Sequence, residues 1–145
     1  MSVLDGRMDG REHVLPVRIY YEDTDFTGLV YHGAYVRFFE RGRSSFLRTA
    51  GVRHSELASS NDPMAFVIVR LEVDFRRAAR IDDELEVRTA YEAVKGPRLM
   101  IGQRIMRGSE TLCEAVVQAA CIDLSGRARK PPPELVDKLT PYFRA

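Results

Sequence analysis

The chain has 145 residues, room for one domain that buries roughly 68–70% of its unfolded surface and no room for a second. Its 22 Lys and Arg against 21 Asp and Glu give a formal net charge of +1, so no overall field draws it to nucleic acid or to a membrane surface. No run of about 18 apolar residues is present, which excludes a spanning helix.

Met1 to His13 is polar, without the apolar stretch of an export signal, and is expected to be a flexible N-terminal segment (1–13) of a cytoplasmic protein. Leu15 to Tyr21 reads as a first strand. Asp23-Thr24-Asp25 and then Gly28 break the extended pattern into a loop, and a helix follows. From Tyr35 its apolar residues recur at Phe38, Phe39, Phe46, Leu47 and Ala50, while Arg37, Glu40, Arg41, Arg43, Ser44 and Arg48 occupy other faces. Gly42 lies on the apolar stripe, where it lets a sheet approach closely. Gly51 is a left-handed stop, with Leu47 and Val52 placed for the hydrophobic contact of a Schellman motif. Glu40 is expected to pair with Arg37, Arg41 or Arg43 along the helix, and His13 and His54 to lie at the surface.

A short helical segment over Arg53 to Ala58 precedes a change to period two. Val67, Val69, Leu71, Val73 and Phe75 define the apolar face of a strand, and Leu85, Val87, Thr89, Tyr91 and Ala93 repeat the pattern. Lys95-Gly96-Pro97 is a turn, Leu99 to Arg107 a strand, Gly108-Ser109 a tight hairpin and Leu112 to Leu124 a long strand. One face of that strand reads Cys113, Ala115, Val117, Ala119, Cys121, small residues that suit a sheet pressed against a helix. Eight residues apart on one strand, the two cysteines are beyond disulfide reach; with no further Cys and no paired His, no zinc site or other metal site is expected. The main domain thus runs over 14–130, and Pro131-Pro132-Pro133 opens a tail (131–145) with a short helix over Glu134 to Phe143.

One strand, one long helix and four antiparallel strands make an α+β domain, a curved antiparallel sheet of about five strands wrapped around the helix. The order is unlike alternating β-α units. Neither G-x-G-x-x-G nor G-x-x-x-x-G-K-[ST] occurs, which removes most of the case for nicotinamide or ATP chemistry. The serine-hydrolase elbow G-x-S-x-G is absent as well, so a hydrolase built on this chain would use a carboxylate.

The stretch Tyr21-Glu22-Asp23-Thr24-Asp25-Phe26-Thr27-Gly28-Leu29-Val30-Tyr31-His32 crowds carboxylates, a glycine and a histidine in front of the helix. A helix N-terminus offers unpaired N–H groups and a positive dipole end to an oxyanion, with a nearby carboxylate as nucleophile or base. Taken singly, Asp23 and Asp25 read more readily as turn or capping carboxylates. As a unit, the segment from Tyr21 to Tyr35, continuing into Phe38-Phe39-Glu40-Arg41, resembles the hotdog-fold acyl-CoA thioesterases of the 4-hydroxybenzoyl-CoA thioesterase family, and most of all their Tol-Pal-associated branch. The resemblance covers about Val17 to Lys130. Ala34 departs from it, standing where the family often has Asn, which implies altered local hydrogen bonding or substrate fit.

The resemblance implies hydrolysis of an acyl-CoA thioester without a cofactor. It makes Asp25 the catalytic carboxylate, leaves Asp23 structural, puts the backbone N–H of His32 where the thioester oxygen is polarised, and sets Tyr21 in the same site. Gly28, Val30 and Tyr31 would line the approach of the thioester, and Arg76, Arg77 and Arg80 would hold the phosphates of CoA. Exposed sheet edges and a shallow site lead us to expect a homodimer or homotetramer. Two other readings stay open at this level: a non-catalytic acyl-CoA or acyl-carrier binding module, and a hotdog dehydratase or hydratase acting on an acyl thioester.

Overall fold

The computed structural model describes residues 2–143; Met1 of the expected N-terminal segment and the last two residues of the expected tail lie outside the described residues. In chain order the elements are β1 (Arg7–Asp9), β2 (Glu12–Arg18), α1 (His32–Thr49), α2 (His54–Ser59), β3 (Met64–Phe75), β4 (Glu84–Lys95), β5 (Arg98–Arg107), β6 (Glu110–Asp123) and α3 (Pro133–Leu139). The strands form one antiparallel sheet in the order β1-β2-β4-β5-β6-β3. Helix α1 crosses its inner face against β2, β4 and β5, which is the hotdog arrangement.

The helix forms where the apolar stripe requires it. Ala34, Tyr35, Phe38, Phe39, Gly42, Phe46 and Leu47 are its buried residues, and full burial of each large side chain contributes roughly 1.5–3 kcal/mol. Gly42 is needed for the crossing: a Cβ there would stand 2.7 Å from both Thr89 Oγ1 and Val87 Cγ1. At the C-terminus Gly51 takes φ +87°, Val52 N–H donates to Leu47 O at 2.7 Å and Gly51 N–H to Arg48 O at 3.0 Å. That pair of bonds is the Schellman motif, with Leu47 and Val52 both buried.

Three expectations need correction. The sheet has six strands, because Arg7–Asp9 pairs with residues 12–14 and brings the supposedly flexible segment into the fold. The next strand runs from Glu12 to Arg18, not from Leu15 to Tyr21, and Tyr21–Asp23 is a 3-10 turn. Its early start carries His13 into the core, where it is fully buried.

Strand β3 carries the third correction. Its register shifts between Ile68 and Arg70, and the extra residue reverses which side chains face inward. Before the shift Phe66 and Ile68 stand opposite the buried Cys121 and Ala119; after it Leu71, Val73 and Phe75 stand opposite Val117, Ala115 and Cys113. Val67 and Val69 therefore do not share a face with Leu71. β3 is also an edge strand, and Val67, Ile68, Val69, Leu71 and Phe75 all remain exposed.

On β6 the small-residue face is buried as expected, and both cysteines are free thiols in the core. Leu135 and Leu139 of α3 are buried, so the tail caps the domain. Among the described residues no helix is long and apolar enough to cross a membrane.

Candidate active site

The loop between β2 and α1 is a tight reversal. Asp25 N–H donates to Leu29 O at 2.9 Å and Gly28 N–H to Asp25 O at 3.1 Å, while Thr24 and Val30 form an isolated antiparallel bridge. Gly28 has φ +85° with open space where a Cβ would stand; it is there for its left-handed backbone.

The two aspartates have different work. Asp23 is buried, its Oδ2 accepts from Tyr20 N–H at 2.9 Å, and its carbonyl accepts from Tyr31 N–H at 2.9 Å. It holds the loop to the helix entrance. Asp25 is exposed, and its Oδ1 accepts both the backbone N–H of Thr27 at 2.8 Å and the Thr27 hydroxyl. Those bonds hold its carboxyl below the ordinary carboxylate range, the hydroxyl contributing most, so Asp25 is ionised at neutral pH.

Helix α1 begins at His32 with Tyr31 as its N-cap residue, yet no side chain caps it and no acidic residue lies in its first turn. The N–H groups of His32 and Gly33 have no intrahelical carbonyl to serve them. They and the positive end of the helix dipole are left for a ligand oxygen.

Asp25, Val30, His32, Arg76 and Arg77 line one open depression of about 360 Å³ together with Tyr35 and Phe75. The last two were legible only as packing residues. The Tyr35 hydroxyl accepts from Ala79 N–H at 2.9 Å, Val30 N–H donates to Ala79 O at 2.9 Å, and the Phe75 ring lies 6.2 Å from that of His32 and 5.8 Å from that of Tyr35. The end of β3, the loop at Ala79 and the helix entrance are thereby locked around the depression.

The other expected residues stand differently. Tyr21 is 81% exposed on the 3-10 turn and does not line this depression, because the chain leaves the sheet at Arg18. Tyr31 packs its ring 4.4 Å from that of His32. Arg76 and Arg77 are ion-paired to Glu114 and Glu110, each at 2.8 Å; Arg80 meets the site only through its backbone bridge to Leu29. Glu40 does not pair with an arginine of its helix as expected: its Oε1 accepts from Ser44 Oγ at 2.9 Å. A larger cavity, of about 770 Å³, lies elsewhere, between β2, α1 and α2, and is lined by neither Asp25 nor His32.

The chain belongs to the thioesterase-like superfamily, whose family model matches residues 19–139, and it is a thioester hydrolase of that superfamily. It is 45% identical over 109 residues to the acyl-CoA thioesterase YbgC of Haemophilus influenzae, covering 75% of this chain and 79% of that protein. It is 42% identical over 109 residues to the acyl-CoA thioester hydrolase YbgC of Escherichia coli O6:H1, covering 74% and 80%. Among solved structures, a probable thioesterase from Bartonella henselae superposes with a TM-score of 0.81 at 40% identity, over 83% of this chain and 99% of that one.

Proposed function

We propose that the protein hydrolyses acyl-CoA thioesters to the free acid and CoA, with Asp25 as the nucleophile and the N–H groups at the start of α1 as the oxyanion site. The observation that carries this reading is the shared depression: an ionised Asp25 and the uncapped helix entrance at His32 face one open space. In the proposed reaction a carboxylate oxygen of Asp25 attacks the acyl carbon, the carbonyl oxygen gains charge against the His32 and Gly33 N–H groups, and the C–S bond breaks. A thiol has a pKa near 8.5, so the thiolate leaves without a strong acid and takes its proton from water. Water then opens the mixed anhydride and restores Asp25. The Thr27 bonds keep Asp25 ionised, so the carboxylate attacks without a separate base to activate it.

Arg76 and Arg77 border the same depression and are well placed to exchange their carboxylate partners for CoA phosphates. The chain is proposed to work as a homodimer at least. Edge strand β3 presents unpaired backbone and the exposed Val67, Ile68, Val69 and Leu71, and pairing with a second copy covers both.

Thiol release from a panel of acyl-CoAs, followed with a thiol-reactive dye, tests the reaction. Turnover with short or medium acyl chains is expected. Tight binding without thiol release across the panel would favour a binding module, and hydration of an enoyl thioester with the C–S bond intact would favour a hydratase.

A further inference from the structure

Thr27 places two donors on one oxygen of Asp25. Its backbone N–H reaches Oδ1 at 2.8 Å, and its hydroxyl bonds to the same atom. Leu29 N–H approaches Thr27 Oγ1 at 3.4 Å, so the hydroxyl accepts on one side and turns its own proton to the carboxylate. Oδ2 receives neither Thr27 bond and is the oxygen available to attack an acyl carbon.

The consequence falls in the second half of the proposed reaction. Once Oδ2 has displaced the thiolate, the anhydride holds two carbonyl carbons, the acyl carbon and Cγ of Asp25. Each has its oxygen against a pair of donors: the acyl oxygen against the His32 and Gly33 N–H groups, Oδ1 against the N–H and hydroxyl of Thr27. The two carbons differ in what reaches them. An acyl carbon held at the helix entrance has the buried Val30 and Tyr35 on one side and the departing thiolate on the other. Asp25 stands on a turn whose residues, Asp25 to Gly28, are all exposed, so bulk water reaches Cγ directly.

We propose that Thr27 forms a second oxyanion site, and that water opens the anhydride at Cγ of Asp25 and not at the acyl carbon. The inference rests on the reading of Asp25 as nucleophile. The water oxygen bonds to Cγ and its proton passes to solvent, while negative charge develops on Oδ1 between the two Thr27 donors. The Cγ–Oδ2 bond then breaks, and the free acid leaves with Oδ2 as one of its carboxylate oxygens. Asp25 is restored with its old Oδ1 and one oxygen from water. Thr27 is thereby a catalytic residue for opening the anhydride. In C–S cleavage Oδ1 loses charge as the carboxylate becomes an acyl carbonyl, so the Thr27 donors do not favour that step.

The test is a single turnover of an acyl-CoA by excess enzyme in water labelled with heavy oxygen, read by mass spectrometry of the released acid and of the peptide carrying Asp25. Wild type is expected to place the label in Asp25 and to release unlabelled acid. In Thr27→Val the ratio of label in Asp25 to label in the acid should fall by about tenfold or more, the effect of a hydrogen bond to a charged group; Thr27→Ser, which keeps the hydroxyl, should retain the wild-type ratio. Labelled acid from wild type in the first turnover, or an unchanged ratio in Thr27→Val, overturns the inference. Borohydride added during turnover reduces an Asp25 anhydride to homoserine, read in the same peptide. Labelled acid together with homoserine means an anhydride that opens at the acyl carbon, and rejects this inference alone; labelled acid without homoserine means that Asp25 never carries the acyl group, and rejects the nucleophile reading as well.

Discussion

Thr27 gives both its backbone N–H and its hydroxyl to one oxygen of Asp25, so the turn that shapes the loop also lowers the pKa of the proposed nucleophile. Removing the hydroxyl should raise the pKa of Asp25, since the hydroxyl is the largest cause of its depression. In Thr27→Val the acid limb of the kcat/KM profile should move to higher pH, with the plateau at neutral pH reduced only modestly. An acid limb that does not move would mean that Asp25 does not govern the rate.

Gly42 is where α1 touches the sheet. A Cβ there would stand 2.7 Å from atoms of Thr89 and Val87 and 3.2 Å from Gln103 Nε2, and β4 and β5 are central strands without room to retreat. Gly42→Ala should therefore destabilise the protein by about 1–3 kcal/mol, the usual cost of overpacking, despite the better helix propensity of alanine. Denaturant unfolding at constant m measures it.

His13 gives stability a pH dependence. Its Nε2 lies 2.6 Å from Asp5 O, and Nδ1 is buried without a partner among the described residues; burial is the largest influence and lowers its pKa in the fold. The neutral ring is thus favoured in the native state, and the unfolded chain, with a pKa near 6.5, binds a proton first on acidification. The stabilisation is complete above about pH 6.5 and is lost as pH falls below it, with a limiting slope of about 1.4 kcal/mol per pH unit. Between pH 7.5 and 5, wild type should lose more stability than His13→Gln, which is less stable at pH 7.5 but keeps a donor for Asp5 O. Parallel curves for the two proteins would count against this role.

Local signals made α1 legible: the apolar stripe, the tolerance for Gly42 and the Gly51 stop are all contained within about twenty residues. The hairpin turns at Gly96 and Gly108 were readable for the same reason. The bulge in β3 was not, because its alternating valines fit either parity until pairing with β6 shows where the extra residue falls. His13 sits in a polar stretch whose short strand carries no periodic signal. The Asp25–His32 stretch was readable as a unit, but its walls were not: Phe75 reaches Tyr35 only through the course of the sheet. Likewise Arg76 and Arg77 meet Glu114 and Glu110 across a strand register, and Arg43 meets Gln103 across 60 residues of sequence.

The division of labour between the two aspartates is the centre of the account, and paired substitutions test it most directly. Asp25→Asn keeps the shape of the side chain and removes its charge, so kcat should fall by at least about 10²-fold with substrate affinity retained. Asp23→Asn keeps an acceptor oxygen for the Tyr20 N–H, so it should cost about 1 kcal/mol or less of stability and leave most of kcat. Measured at matched folded fraction, a collapse of kcat confined to Asp25→Asn is the predicted result; equal small losses in both variants, or a collapse only in Asp23→Asn, would contradict the account.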